Sequence, residues 1–407
     1  MRILVLAEDV PWPETNGGRI RTANVVRALA SLGEVDVFAH VSTDEPAAVP
    51  AGEPARRIGS TPRTRATINR WRDLRWVMNG KVPREYSARD YTQARRDLRQ
   101  WMQGPYDLAW VGNAETFVAF EPELSMSKIV DLYDLGDTKL RWRLAAARDP
   151  SESTAASARA RVRRRARTAV MRVNLRRWRQ LHAHVVARAR AVVVASELDH
   201  ERLGCADAWV IPNGYSRPVT RCGHLESRDP ATVIIQGSMT YDPNIDGAEF
   251  FVGRVWPELR RLRPTAELRI VGAGNRRVGT LASTPGVTVT GYVPEIEAEL
   301  RLADIAAVPL RFGGGTRLKI LESFAHGIPV VSTRVGCEGL KVKDGEHLVV
   351  ADEPEAFGAA CDRLIGDQAL RHRVVAAALA LFEDEYEWGR IRPSIIACAE
   401  RVIEPRG

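Results

Sequence analysis

A short apolar run followed by a helical stretch recurs along almost the whole chain, and this alternation limits the possible folds more than any other feature. ILVLA (3–7), EVDVFAH (34–40), DLAWV (107–111), KIVDL (128–132) and AVVVAS (191–196) are strand-length and separated by helical spacing. Runs of this kind fit strands covered on both faces, as in a parallel sheet. RIRTANVVRALASLG (19–33) supplies the first crossover helix, with Gly33 as its stop signal. The pattern then restarts: TVIIQG (232–237), ELRIVG (267–272), VTVTGY (287–292), IAAVPL (305–310), PVVSTR (329–334) and HLVVA (347–351) read as six further strands. Helices are expected over 244–263, 275–283, 294–302, 316–326, 353–366 and 367–384. Segment 43–66, rich in Pro, Gly and Ala, is assigned no structure.

The chain has 407 residues, more than one ordinary core organises. The expectation is therefore an α/β protein of two doubly wound, Rossmann-like domains, 1–215 and 216–387. A last helix within 388–407 packs back on the first. WVIPNGYSRP (209–218) reads as a strand entering a turn, and TRCGHLESRDPA (220–231) as the interdomain linker. Ligands of such sheets collect at the carboxyl ends of the strands, so two facing domains enclose a central cleft.

Composition excludes several classes. Hydrophobic content of 45% and charged content of 27% suit a soluble globular chain. Five scattered cysteines without a CxxC pair suggest neither a zinc knuckle nor a disulfide framework, and point to a reducing cytoplasm. The first apolar run is too short for a signal-peptide core, and no run reaches membrane-spanning length. The net charge is +8. Much of it sits in ARARVRRRARTAVMRVNLRRWRQLHAHVVARAR (158–190), which has twelve arginines and no acid. Val162, Ala166, Ala169, Val170, Val173, Trp178, Leu181 and Val185 keep near-helical spacing there. A long helix with a solvated basic face accounts for the pattern. Docking on an anionic membrane or polyanion is the functional alternative.

Loops after strands carry the chemistry. Gly17-Gly18 lies between the first strand and a helix bearing Arg19 and Arg21, where backbone N–H groups approach an anion closely. QGSMTYDPN (236–244) is the matching loop of the second half. Gly237 and Ser238 are its donors, and Asp242-Pro243-Asn244 is a helix start. GGGTRLKILESFAHGIPVV (313–331) concentrates most signals. Thr316 reads as N-cap and Arg317 as the first helical residue. Gly314 and Gly315 free the loop so that Arg317 and Lys319 meet one anion. Glu322 lies roughly 9 Å further along the axis. That spacing fits a diphosphate at the cations and a ribose diol at the carboxylate. A plain surface Lys319–Glu322 pair is the bland alternative, worth little.

At these residues the chain resembles the family 4, retaining, GT-B glycosyltransferases. The resemblance is strongest over about 232–345, through GSMTYDPNIDG, ELRIVGAG, VTVTGYV, DIAAVPLRFGGGTRLKILESFAHGIPVVSTRVGCEGL and KDGEHLVV. GGRIRTANVVRALA, VDLYDLGDTKLRWR, AVVVASELD and IPNGY match it more loosely in the first half. It implies a nucleotide-diphosphate sugar donor, UDP- or GDP-linked, and transfer with retention of configuration. It implies front-face attack, with no metal or cofactor. Arg317 and Lys319 would hold the diphosphate and Glu322 the ribose. Val293 would meet the base through its backbone, and Gly17 and Gly18 the phosphates or sugar. Two departures stand out. Gly314 occupies the place of the first carboxylate of the family's E-x7-E pair, and Tyr133 or Asp134 stands where many members have a histidine.

Asp134 is thereby a candidate for positioning the donor sugar or acceptor, and Arg21 and Tyr133 are candidates for the acceptor itself. That acceptor is a natural product, another small molecule, or a lipid-linked or polysaccharide intermediate. Two rivals remain: a sugar-nucleotide epimerase of the same fold, and a basic membrane- or polyanion-binding protein working through 158–190. No specific nucleic-acid motif is present. Peripheral membrane contact through 158–190 is compatible with transfer to a lipid-linked acceptor.

Overall fold

A computed structural model describes residues 1–41, 47–63, 82–87, 89–146, 158–224, 226, 228–274 and 276–404, with Trp76 and Met78. The chain divides into two compact units, Met1–Asn213 with Ile391–Gly407, and Gly214–Arg390.

The first unit is built on seven parallel strands: β1 (Arg2–Ala7), β2 (Glu34–Val41), β3 (Ala55–Pro62), β4 (Leu108–Gly112), β5 (Ser127–Leu132), β6 (Ala191–Val194) and β7 (Trp209–Val210). Their order is β3-β2-β1-β4-β5-β6-β7. Val5 of β1 lies opposite Val37 on one side and Trp110 on the other. The connection reverses between β1 and β4, the switch point of a doubly wound sheet. The expected strands form because each is apolar enough for helices to cover both faces. Strand β3 was not expected. ARRIGSTP has no apolar alternation, and its pairing with β2 along one edge rests on the backbone ladder. Residues 43–46 and 64–66 of the segment given no assignment lie outside the described residues.

Helix α1 spans Gly17–Leu29, so Gly17 and Gly18 form its first turn and Gly33 lies beyond its end. Asn16 caps it, its Oδ1 accepting from the Arg19 N–H at 3.0 Å. The basic helix runs Ala158–Arg188. Trp178, Leu181 and Val185 enter the core, while Arg165, Arg167, Arg172, Arg176 and Arg179 are exposed. The side chains of residues 158–164 lie outside the described set. Among the described residues no helix is long and apolar enough to cross a membrane.

The second unit repeats the plan with six parallel strands: β8 (Thr232–Gln236), β9 (Glu267–Val271), β10 (Val287–Gly291), β11 (Ile305–Val308), β12 (Val330–Ser332) and β13 (Val349–Val350). The order β10-β9-β8-β11-β12-β13 puts its switch point between β8 and β11. Segment 220–231 is not the linker. It belongs to the second unit, where the His224 ring nitrogen and Asp304 Oδ1 lie 2.9 Å apart and the Gly223 N–H donates to His326 O at 2.8 Å. Its polarity serves to satisfy Asp304, which is fully buried.

Arg21 is already engaged within the first unit. Its guanidinium is 1% exposed, grips both Asp131 oxygens at 2.8 Å and donates to Ile211 O, Pro212 O and Asn213 Oδ1. Committed in this way, it is not an acceptor contact but a buried tie between α1, β5 and the end of β7. Arg21→Ala leaves Asp131 charged and buried. Chemical denaturation is expected to show a loss of about 3–5 kcal/mol, the usual result of removing one partner from a buried pair.

Candidate functional site

The loops after β8 and β11 meet at the switch point of the second sheet. Gly237, the first residue past β8, has φ +137°, and a Cβ there would sit 2.9 Å from Asn244 Nδ2 and 3.0 Å from Lys319 Nζ. The glycine lets the backbone pass directly over the Lys319 ammonium. The loop is pinned from below, because Gly237 N–H donates to Val271 O and Met239 N–H to Ala273 O. Gly272, at φ +140°, packs against Gly237 O so closely that no side chain fits. Gly272 N–H in turn donates to Gly291 O at 2.9 Å. Three strand ends are therefore stacked as one layer, with Val293 two residues beyond β10 and partly buried.

The glycine loop after β11 leads into the helix Leu318–His326. Thr316 is not the N-cap. Arg317 takes that position with ψ +69°, and its side chain turns back to donate to Gly314 O at 2.6 Å and Val335 O at 3.3 Å. The competing backbone acceptors pull Arg317 out of the helix, leaving its side chain 4% exposed. Gly313 and Gly315 both have positive φ, which makes this reversal possible. Lys319 Nζ donates to Asn244 Oδ1 at 2.8 Å, and Asn244 donates to Ser238 O at 2.8 Å. Ser238 itself is exposed and pairs with the Thr240 hydroxyl. Glu322 Oε1 accepts from the Tyr215 hydroxyl at 3.1 Å.

The electrostatics of this recess are unusual. Burial, reinforced by the Arg317 charge, brings the Lys319 ammonium down to about 7. Burial also pushes the Glu322 carboxyl up to about 7, against hydrogen bonds from Tyr215 and Gln236. Both side chains keep some surface in contact with solvent, although protein surrounds them on most sides. The recess thus holds two poised groups beside a permanent cation, the environment expected where an anion completes the charge balance. Asn244 and Tyr215 were not singled out from sequence. Asn244 sits in a helix-start tripeptide and Tyr215 in a Pro-Asn-Gly turn, where local chemistry already explains each.

In the first unit, Glu8, Asn113 and Tyr133 cluster beyond β1, β4 and β5. Glu8 Oε2 accepts from the Tyr133 hydroxyl at 3.0 Å and from the Asn113 amide. Asn113 has φ +70°, uncommon for a residue with a side chain, and its Oδ1 caps the next helix through Thr116 N–H. A Cβ at Gly18 would come to 3.2 Å from Tyr133 Oη, a tight approach. Burial, with Glu8 beside it, keeps the Tyr133 phenol well above its ordinary range and neutral. Asp134 follows in the same loop, partly buried.

Residues 230–367 match the model of the family Glycosyl transferases group 1. The second unit carries a glycosyltransferase group 1 domain. Among curated proteins, the phosphatidyl-myo-inositol mannosyltransferase of Mycobacterium leprae is 26% identical over 337 residues, 80% of each chain. The GDP-mannose-dependent alpha-(1-6)-phosphatidylinositol monomannoside mannosyltransferase of Mycolicibacterium smegmatis is 31% identical over 151 residues, 33% of this chain and 40% of that one. A sucrose-phosphate synthase from Thermosynechococcus elongatus superposes with a TM-score of 0.70 at 16% identity, over 99% of both chains. Anabaena HepE, solved with UDP and glucose, gives 0.63 at 13% identity, over 98% of this chain and 99% of that one. The two parallel-sheet domains have the fold seen in GT-B glycosyltransferase structures.

Gly237→Ala tests the loop geometry of the glycosyltransferase domain. It forces a side chain into positive φ and against Lys319, so chemical denaturation is expected to show a loss of about 1–3 kcal/mol.

Proposed function

We propose that this glycosyltransferase moves a sugar from a nucleotide-diphosphate donor to a hydroxyl acceptor with retention of configuration. The observation that carries the reading is the recess at the ends of β8 and β11, where Arg317, Lys319 and Glu322 share one switch point. Arg317 and Lys319 receive the diphosphate, and their charge stabilises it as it leaves. Gly237, Gly314, Gly315 and Thr316 line the approach, with Ser238 as a hydroxyl donor. Glu322 accepts from the ribose diol. Main-chain groups at Val293 meet the base. Gly17 and Gly18, at a helix N-terminus, approach phosphate or sugar. Tyr133 and Asp134 contribute to sugar or acceptor positioning. Front-face attack, with the departing phosphate taking the acceptor proton, asks no metal or protein nucleophile of the site.

A GDP-linked donor and a lipid-linked acceptor are favoured over the alternatives, because the curated relatives are named for mannosyl transfer to phosphatidylinositol compounds. The exposed arginines of the Ala158–Arg188 helix support peripheral contact with an anionic bilayer. In sedimentation with phosphatidylserine-containing vesicles, binding is expected to fall steeply as salt rises. Binding that ignores salt would remove the helix from this role.

The donor reading is tested by calorimetric titration with UDP and GDP from pH 7 to pH 9. The terminal phosphate of either ligand, with a pKa of about 6, is then already ionised. Lys319 loses its proton and Glu322 gains charge as pH rises through about 7, and both changes disfavour an anion. Bound phosphate favours the protonated ammonium, so its pKa is higher in the complex. Affinity should therefore fall with rising pH, by up to about tenfold per unit, with proton uptake on binding. Lys319→Met should bind weakly and lose most of this dependence. Absence of binding by either nucleotide would defeat the reading.

A further inference from the structure

The Glu322 carboxylate is held by a residue outside the glycine loop and outside its own helix. Tyr215 is the second residue of the second unit, and its hydroxyl donates to Glu322 Oε1 at 3.1 Å. Its backbone is fixed independently. Tyr215 N–H donates to Tyr386 O at 3.0 Å, and a parallel bridge joins Tyr215 to Glu387. Tyr386 is 3% exposed, and its hydroxyl accepts from Lys341 N–H at 2.7 Å. The Tyr215 ring packs on the Ile320–Phe324 cluster and meets the His326 ring edge-on, with centroids 6.3 Å apart. Phenol, ring and backbone are thus each anchored.

We propose that Tyr215 is a positioning residue for ribose recognition, orienting Glu322 so that its free acceptor sites meet a vicinal diol. An ionised carboxylate offers about four acceptor positions in one plane. Tyr215 uses one, which leaves acceptor positions for both hydroxyls of a ribose diol. A carboxylate free to rotate would lose part of the hydrogen-bond energy to ordering, and the fixed phenol removes that cost. This inference rests on the donor reading for Arg317, Lys319 and Glu322, and adds the residue on which its ribose selectivity depends.

The test compares GDP and UDP with their 2′,3′-dideoxy forms on the full chain, by calorimetry. Wild type is expected to prefer the ribonucleotide. Tyr215→Phe keeps the ring and its packing and removes only the donor. That preference should shrink by roughly tenfold, the value of one hydrogen bond to a charged group, with little change in dideoxynucleotide affinity. In a Glu322→Gln background, Tyr215→Phe should have no further effect on the preference. Equal weakening of ribo and dideoxy forms would mean that Tyr215 only supports the fold, and would overturn the proposal. So would full retention of the preference in Tyr215→Phe. If wild type binds neither ribonucleotide, the donor reading itself fails, a result distinct from either.

Discussion

Lys319 is held where its charge is disfavoured, by burial first and by the Arg317 guanidinium second. Nothing in folding alone asks for this. A solvated lysine one turn away would avoid the cost, as most helix-surface lysines do. The arrangement persists because surrounding structure over-determines it. Gly237 and Gly272 close the loop above the ammonium, Asn244 takes its hydrogen bond, and the strand ends beneath are tied in a stack. Strain and unfavourable charge concentrated at the carboxyl edge of a parallel sheet are what an anion site requires before its ligand arrives.

The fold was legible wherever a strand is buried on both faces. Strands β1, β2, β4, β5 and β6 of the first unit and β8, β11 and β12 of the second appear as apolar runs because they are buried along most of their length. Strand β3 left no such trace. It lies on an edge, and Arg56 and Arg57 spend their side chains on Asp36 rather than on a core. Segment 220–231 misled for a related reason. Its polar residues resemble a solvated linker, yet they are partners for a buried carboxylate seventy to eighty residues away. Pattern reads solvent exposure well and reads long-range polar pairing poorly.

The candidate site was legible to the extent that it is local. Arg317, Lys319 and Glu322 share one short segment, so spacing alone brought them forward. Thr316 has the hydroxyl that an N-cap needs. Arg317 displaced it by reaching Val335 O, a contact that helix rules do not see. Tyr215 and Asn244 reach the same recess from distant sequence. Arg21 misleads in the opposite sense. A cation near a glycine turn resembles a ligand contact, until Asp131 and three groups of 211–213 are found to occupy it.

The opposite ends of the two sheets show why charge alone is a poor guide and satisfaction a better one. Near the amino ends, buried acids are fully enclosed by partners. Burial acts to raise the Asp36 carboxyl, but hydrogen bonds from Arg56, Tyr106 and Arg57 overcome it, and the pKa stays below the ordinary range. Asp304 accepts from Thr232 N–H at 2.7 Å and lies beside His224 and Arg228. Such clusters are closed, and adding a ligand would break them. At the carboxyl end of the second sheet, burial has instead moved Lys319 and Glu322 toward neutrality, and an anionic ligand would return the Lys319 ammonium to its charged form. The closed Asp36 cluster of the first sheet and the open Lys319–Glu322 recess of the second therefore differ in sense, because partners hold the first acid ionised while burial moves the second pair toward neutrality.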